Sequence, residues 1–365
     1  MIIMATKITG ISRDLIIHPG ETISDILVER GITQAELAAR TGVTPAYVCN
    51  VIAGKKDISA KFALALEYAL GVSKSFWINL QANYDAELLE ASESETITDE
   101  ERVARNSLKD IVKYLREIGK MPLREAVDDS ILSLRKALQM SNIANLKGIV
   151  PEGALRMSAK SKVDPYVMGA WIRLCQIAGE KRNVSTKFDI EKIDELVAKA
   201  KMVMCNAGES IQKSLTELFG EYGIDFSVVR NFRGAPVQGF ISKKNDGTYQ
   251  MVLTIRGSYA DIFWFSLFHE LGHIVNGDVN GSINFIDYDG NADIEIGADE
   301  FASASLIDST AYEEFVRRSD FSLSSIKLFA ESQQIRPYIV IGRLQREKLL
   351  EYNRYSSEKV RYKWA

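Results

Sequence analysis

The sequence predicts a mainly α-helical protein, α+β overall, with one small β-sheet confined to its C-terminal third. Three observations lead there. Up to residue 222, apolar residues recur at helical spacing between cap and stop signals. From 223 to 255 the pattern changes to that of short strands. Beyond that lies Phe268-His269-Glu270-Leu271-Gly272-His273, whose two histidines four residues apart belong on one face of a helix.

At 365 residues the chain is too long for one core, and the pattern breaks divide it. We expect a helix-turn-helix bundle over 1–90, a helical connecting region over 91–222, an α+β domain over 223–348 and a tail over 349–365. Hydrophobic residues at 46% and charged residues at 26% are ordinary for a globular protein, and a net charge of −4 gives no general attraction to nucleic acid or anionic membranes. Cys49, Cys175 and Cys205 are odd in number and far apart, as expected of free thiols in a reducing cytosol. The start, Met1 to Lys7, lacks the pattern of a signal peptide, and the most apolar window, Ile262 to Leu271, is too short to span a bilayer. The expectation is a soluble cytoplasmic protein with no membrane contact.

Residues 19–30 read as a first helix ended by Gly31. Thr33-Gln-Ala-Glu36 is a capping box in which Thr33 caps and Glu36 returns to the cap amide, with Leu37 and Ala38 facing inward. After Gly42, Thr44-Pro45 starts another helix through Tyr47, Val48, Val51 and Ile52, with Thr as N-cap and Pro in the first position; it stops at Gly54. Helix, short Gly turn, helix is a helix-turn-helix, and its second helix has the recognition position. Lys55 and Lys56 follow where phosphates would lie. Two further amphipathic helices cover 59–70 and 73–90.

The string Thr33 to Ala38, with Gly54-Lys-Lys-x-Ile58-Ser59, Leu70-Gly-Val-Ser73 and Phe76-Trp77, resembles the HigA-type antitoxin branch of the lambda-repressor-like DNA-binding domains. That resemblance implies that Thr44, Ala46, Tyr47 and Asn50 face base edges, that Gln34, Lys55 and Lys56 face phosphates, and that the protein binds operator DNA as a homodimer. The charge balance over 1–90, eight Lys+Arg against ten Asp+Glu, leaves this to a local basic face. A helical hairpin that binds a protein partner is the competing reading.

Residues 91–101 are acidic and unpatterned, a hinge or an exposed helix start. From 102 to 222 the pattern is helical, broken at Pro122, Gly148 to Pro151, Asp164-Pro165 and Gly179. Trp171, Leu174 and Ile177, and Ile190, Ile193, Leu196 and Ala200, form stripes expected in the core. Strands are expected over 224–229, 238–242 and 249–255, the last two joined by the turn Asn245-Asp-Gly247. The strand 249–255 is expected at the sheet edge, where it would pair with an extended peptide.

His269 and His273 are two of only three histidines in the chain. Their spacing lets two imidazole nitrogens reach one metal ion at about 2.0–2.1 Å, as zinc requires, and Glu270 lies one position round the helix as a general base. A third ligand belongs on the helix that begins at Glu295. There the macrodipole favours any acidic residue, so on residues alone Glu295, Asp299 and Glu300 stay open.

His269-Glu-Leu-Gly-His273 followed by Glu295-x-x-Ala298-Asp299-x-Phe301-Ala302 resembles the ImmA/IrrE family of metallopeptidases. The resemblance implies a zincin-like domain in which His269, His273 and Glu295 bind zinc (manganese is the alternative metal) and Glu270 is the catalytic base. Gly297 stands where many relatives have an acidic residue; that position is not a ligand. The likeness continues through Arg256 and Asp261, expected to support the helix entry, and through Phe329-Ala330 and Ile335 to Gln345, with Arg343 structural. Tyr288 reads as an exposed loop residue. The function implied is a DNA-binding regulator fused to a zinc endopeptidase that cuts a repressor, an antitoxin or itself. The alternative is a HigA-like repressor whose metal site is structural or sensory.

Overall fold

The first helix starts because Pro19 presets φ and His18 supplies the cap: its Nδ1 accepts from the Gly20 amide at 2.9 Å. In this computed structural model, residues 15–150, 163–180, 184–206, 210–237, 239–255, 259–279 and 292–362 are described. They are mainly α-helical with one small sheet, and the chain divides into two compact units, Met1–Asp99 and Glu100–Ala365.

The first unit contains α1 (Pro19–Arg30), α2 (Gln34–Thr41), α3 (Pro45–Ile52), α4 (Ala60–Leu70) and α5 (Lys74–Ser92). Thr33, Thr44, Ser59 and Ser73 each cap a helix by accepting from a backbone amide three residues on. Each cap is worth about 1 kcal/mol. The capping box is only half made, because the Glu36 carboxylate goes to Arg40 instead of returning to the Thr33 amide. Gly31, Gly42 and Gly71 end their helices at φ of 64–69°, where a Cβ would be strained. Ile23, Leu37, Val48, Val51, Leu66 and Trp77 fill the core.

In the second unit come α6 (Asp99–Ser107), α7 (Lys109–Glu117) and α8 (Val127–Leu138), and a buried pair, Arg135 with Glu101 at 2.6 Å, ties α8 to α6. Glu101 also accepts from the Ile143 amide at 3.1 Å, so its charge is not left unsatisfied. Next come α9 (Pro165–Glu180), α10 (Ile193–Cys205) and α11 (Ile211–Glu221). Trp171, Leu196 and Ala200 are buried as the stripes predict; Ile190 is 52% exposed because it lies in a 3-10 turn ahead of α10.

The sheet has the order β1 (Ile224–Val228), β3 (Tyr249–Leu253), β2 (Gly239–Lys243), with β3 parallel to β1 and antiparallel to β2. This corrects one expectation: β3 is the central strand, and β1 and β2 are the edges. Gly247, at φ 86°, makes the hairpin turn as expected. Ile224, Phe226, Met251 and Leu253 join the main core, while Gln250 donates to the Cys175 carbonyl of α9 at 2.6 Å.

Beyond the sheet run α12 (Ala260–Asn276), α13 (Ala292–Leu306), α14 (Ser309–Arg318), α15 (Leu323–Ser332) and α16 (Pro337–Arg346). The segment that reads as an unassigned tail has a definite place: Val360 accepts from the Ala260 amide at 3.0 Å, Tyr362 accepts from Trp264 at 2.8 Å, and Lys359 pairs with Asp261 at 3.1 Å. It therefore ties down the entry to α12. Arg256, Gln238 and Tyr288 lie outside the described residues. No helix among the described residues is long and apolar enough to cross a membrane.

His18 generates a prediction. Burial holds its pKa below 6.5, against the opposing fields of Asp57, Asp85 and Glu21, and its buried Nε2 meets no hydrogen-bond partner among the described residues. The unfolded state therefore binds the proton first, and stability should fall as pH drops from about 6.5 through the lower folded value. The first unit should lose calorimetric stability over that window, and His18→Asn, which keeps a cap acceptor, should flatten the loss. An unchanged pH profile in the variant would remove His18 as the cause.

Candidate metal centre and helix-turn-helix face

Helix α12 carries His269, Glu270 and His273 in its buried second half, with His273 fully buried and Glu270 only 2% exposed. Such burial of polar groups needs partners, and α13 supplies them by lying unusually close. The contact depends on Gly272: a Cβ there would meet Ala298 Cα at 3.1 Å and the Ala298 carbonyl oxygen at 3.2 Å. Helix α13 begins at Ala292, three residues before the Glu295 start expected from sequence, which puts Glu295 at the end of its first turn.

The donor atoms converge. His269 Nε2 and His273 Nε2 are 3.0 Å apart, and Glu295 Oε2 is 3.3 Å from His269 Nε2. All three ligand atoms fall within 4.8 Å of one another, the one such cluster found among the described residues. Bonds of about 2.0–2.1 Å in a tetrahedron give edges of about 3.3–3.4 Å, so these separations fit one small divalent cation. Two imidazoles and one carboxylate are also the donor set of an open site, not a closed structural one.

Each imidazole is oriented through its other nitrogen. Asp299 Oδ1 is 2.9 Å from His269 Nδ1, and Asp278 Oδ2 is 3.0 Å from His273 Nδ1. A carboxylate at Nδ1 fixes the tautomer that turns Nε2 toward a metal. Sequence reasoning missed both roles. The signal was there for Asp299, one turn after Glu295 on the same face, and less plainly for Asp278, just past the helix end.

Burial opposes charge on His269, but its hydrogen bonds to the Asp299 and Glu295 carboxylates and the field of Glu270 outweigh it, and its pKa is pushed up to about 10. Burial, with the charged His269 alongside, lowers that of His273 despite Asp278.

Glu270 faces β2. A Cβ at Gly239 would lie 1.9 Å from Glu270 Oε1 and 2.3 Å from its carboxyl carbon, so only glycine leaves room for this carboxylate. Nothing local in the sequence marks Gly239. A cavity of about 740 Å³ opens beside the cluster, lined by His269, Glu270, Glu295 and Asp299 together with apolar residues such as Phe265 and Ile339. Arg343 stacks over the Tyr312 ring at 3.7 Å and bonds Glu347 at 3.0 Å, a structural placement, although it also borders the cavity.

In the first unit, Gln34, Thr44, Ala46, Asn50, Lys55 and Lys56 are exposed and Tyr47 is partly buried. The Thr44 hydroxyl, expected at a base edge, caps α3 by accepting from the Tyr47 amide at 3.2 Å, which leaves its O–H able to donate. Lys56 lies over the Tyr47 ring at 4.4 Å, joining two of the expected contact residues.

Residues 23–77 match the family described as helix-turn-helix. The chain is 44% identical over 69 residues to virulence-associated protein A′ of Dichelobacter nodosus, covering 19% of this chain and 60% of that protein. Among solved structures, an antidote protein of a plasmid maintenance system from Nostoc punctiforme is 38% identical, with 22% of this chain and 87% of that one covered and a TM-score of 0.21. Antitoxin HigA of Pseudomonas aeruginosa, solved with the higBA promoter, is 31% identical, with 23% and 97% covered and a TM-score of 0.21. The first unit thus contains a helix-turn-helix domain.

The glycine opposite Glu270 gives a prediction. Gly239→Ala should destabilise the second unit by about 1–3 kcal/mol through overpacking. Combining it with Glu270→Ala should cost less than the two changes separately, because the clash goes with the carboxylate. Urea unfolding of the four proteins decides; strictly additive costs would mean that Gly239 is not holding space for Glu270.

Proposed function

We propose that the protein is a DNA-binding regulator fused to a zinc-dependent endopeptidase of the ImmA/IrrE type. The observation that carries the peptidase half is the convergence of His269, His273 and Glu295 beside Glu270, a buried carboxylate that is not needed as a ligand. In this reading His269, His273 and Glu295 hold the cation, and Asp299 and Asp278 keep the two rings in register. Zinc at such a site supplies Lewis acidity, polarising a carbonyl and acidifying water. Glu270 takes a proton from the attacking water and delivers it to the leaving amine. Strand β2, an edge strand whose Gly239 lies against Glu270, is placed to pair with an extended substrate, the role expected from sequence of β3. The substrate is a repressor, an antitoxin or the chain itself, and the compartment is the cytoplasm.

The DNA half rests on the helix-turn-helix match and on the exposed set Gln34, Ala46, Asn50, Lys55 and Lys56 around α3. Asn50 suits adenine through both of its edge atoms, and the lysines suit phosphates. A homodimer would read a two-fold operator.

A second reading is a HigA-like antitoxin and repressor in which the metal is structural or sensory; the antidote and antitoxin names of the similar structures favour it. Glu270 separates the two. A structural site has no use for a base beside the ligands.

Glu270→Gln should abolish cleavage while zinc and DNA binding stay as in wild type, read by mass spectrometry of new protein N-termini in cells making either protein. Equal N-termini in both, with zinc bound in both, would give the repressor reading the field. His269→Ala should lose zinc; wild-type zinc content in that variant would end the metal assignment.

For DNA, Lys55→Ala and Lys56→Ala should weaken binding evenly across duplexes selected by the wild type and each reduce the salt slope by about 1. Asn50→Ala should relax preference at one base position at a cost of about 1–3 kcal/mol. Binding unchanged in all three, by anisotropy at several salt concentrations, would place the DNA face elsewhere.

A further inference from the structure

The two histidines are not anchored alike. His273 is held by Asp278, just beyond the end of its own helix and 16% exposed. His269 is held across to α13 by Asp299, whose side chain is 39% exposed and, left alone, would be free to turn to water. What keeps it in place comes from a third helix. Arg346, at the last position of α16, donates to Asp299 Oδ2 at 2.7 Å while Oδ1 stays on His269. The same guanidinium lies 4.7 Å over the Phe265 ring, and Phe265, one turn before His269, has its ring centroid 6.3 Å from the imidazole. Phe265, His269, Asp299 and Arg346 thus form a closed ring of contacts joining α12, α13 and α16 beside the cavity.

A surface ion pair by itself is worth little, about 0–1 kcal/mol, so this one is poorly explained as a stabiliser. Its geometry suits orientation better. A planar guanidinium stacked on one aromatic face has little freedom, and it fixes the carboxylate that it bonds. Asp299 then presents one oxygen to Nδ1 at a set angle, which leaves Nε2 aimed at His273 Nε2 and Glu295.

We propose that Arg346 is a positioning residue for the metal centre, acting through Asp299 to hold His269 in its ligating orientation, with Phe265 as its floor. The proposal rests on the zinc reading given above. Partners of a ligating histidine typically contribute 10–100-fold in metal affinity, and a residue one step further out belongs at the low end.

The test is zinc affinity of the full chain, by competition with a chromogenic chelator, in wild type, Arg346→Gln, Arg346→Lys, Asp299→Asn and the double variant Arg346→Gln/Asp299→Asn. Arg346→Gln should weaken zinc binding about tenfold. Arg346→Lys should recover only part of this, since an ammonium cannot stack and bond in the same plane. The double variant should bind no worse than Asp299→Asn alone, because Arg346 acts only through that carboxylate. The unfolding midpoint of the metal-free protein should hardly move. Wild-type affinity in Arg346→Gln, or losses that multiply in the double variant, would overturn the positioning role. A wild-type protein that binds no zinc would overturn the metal reading itself, an outcome distinct from the first.

Discussion

Two imidazole nitrogens and a carboxylate oxygen from two helices meet beside the buried half of α12, and the second unit is arranged to make that burial tolerable. Taking imidazoles and carboxylates out of water costs several kcal/mol per group unless each finds a partner. Partners come within reach only because α13 runs close along α12. Gly272 permits that approach, since any side chain there would press on the backbone of Ala298. The remaining support radiates from this contact: Asp299 and Glu295 from α13, Asp278 from the turn, Arg346 from α16 and the Gly239 gap from β2.

The entry to α12 is secured separately. Residues 359–362 lie against Tyr259 to Trp264, with a backbone bond to Ala260, an ion pair to Asp261 and a side-chain bond to Trp264. Fixing the first turns of a helix limits fraying, and so limits wandering of the ring nitrogens two and three turns further on. The first unit uses a different economy. Its first four helices are only 8 to 12 residues long, a length that is marginal alone, so side-chain caps and a core that includes Trp77 stabilise them.

Much of this was legible in the chain. The stops at Gly31, Gly42 and Gly54, the caps at Thr33 and Thr44, the change to strands at 224 and the hairpin at Gly247 all follow from local chemistry, and the structure has them. The departures have separate causes. Strand β3 was placed at the edge because sequence order says nothing of sheet order, and a parallel β1–β3 pair puts the last strand in the middle. Ile190 fits a helical stripe by spacing, yet falls in a 3-10 turn. His18 was overlooked as a cap because histidine is an uncommon one.

The sequence by itself determined the helix-turn-helix, the mainly α composition of the fold and the His269–Glu270–His273 spacing, because each depends on residues within a few positions of one another. Tertiary structure alone decided which acid meets the histidines, since the macrodipole favours Glu295, Asp299 and Glu300 alike. It brings Glu295 to His269 Nε2 and Asp299 to His269 Nδ1. It also decided that Gly239 faces Glu270, and that Arg346 and the last residues of the chain close around α12. Those contacts join residues 26 to 100 positions apart, and the relative placement of such residues is set by packing of whole elements, which no local pattern encodes.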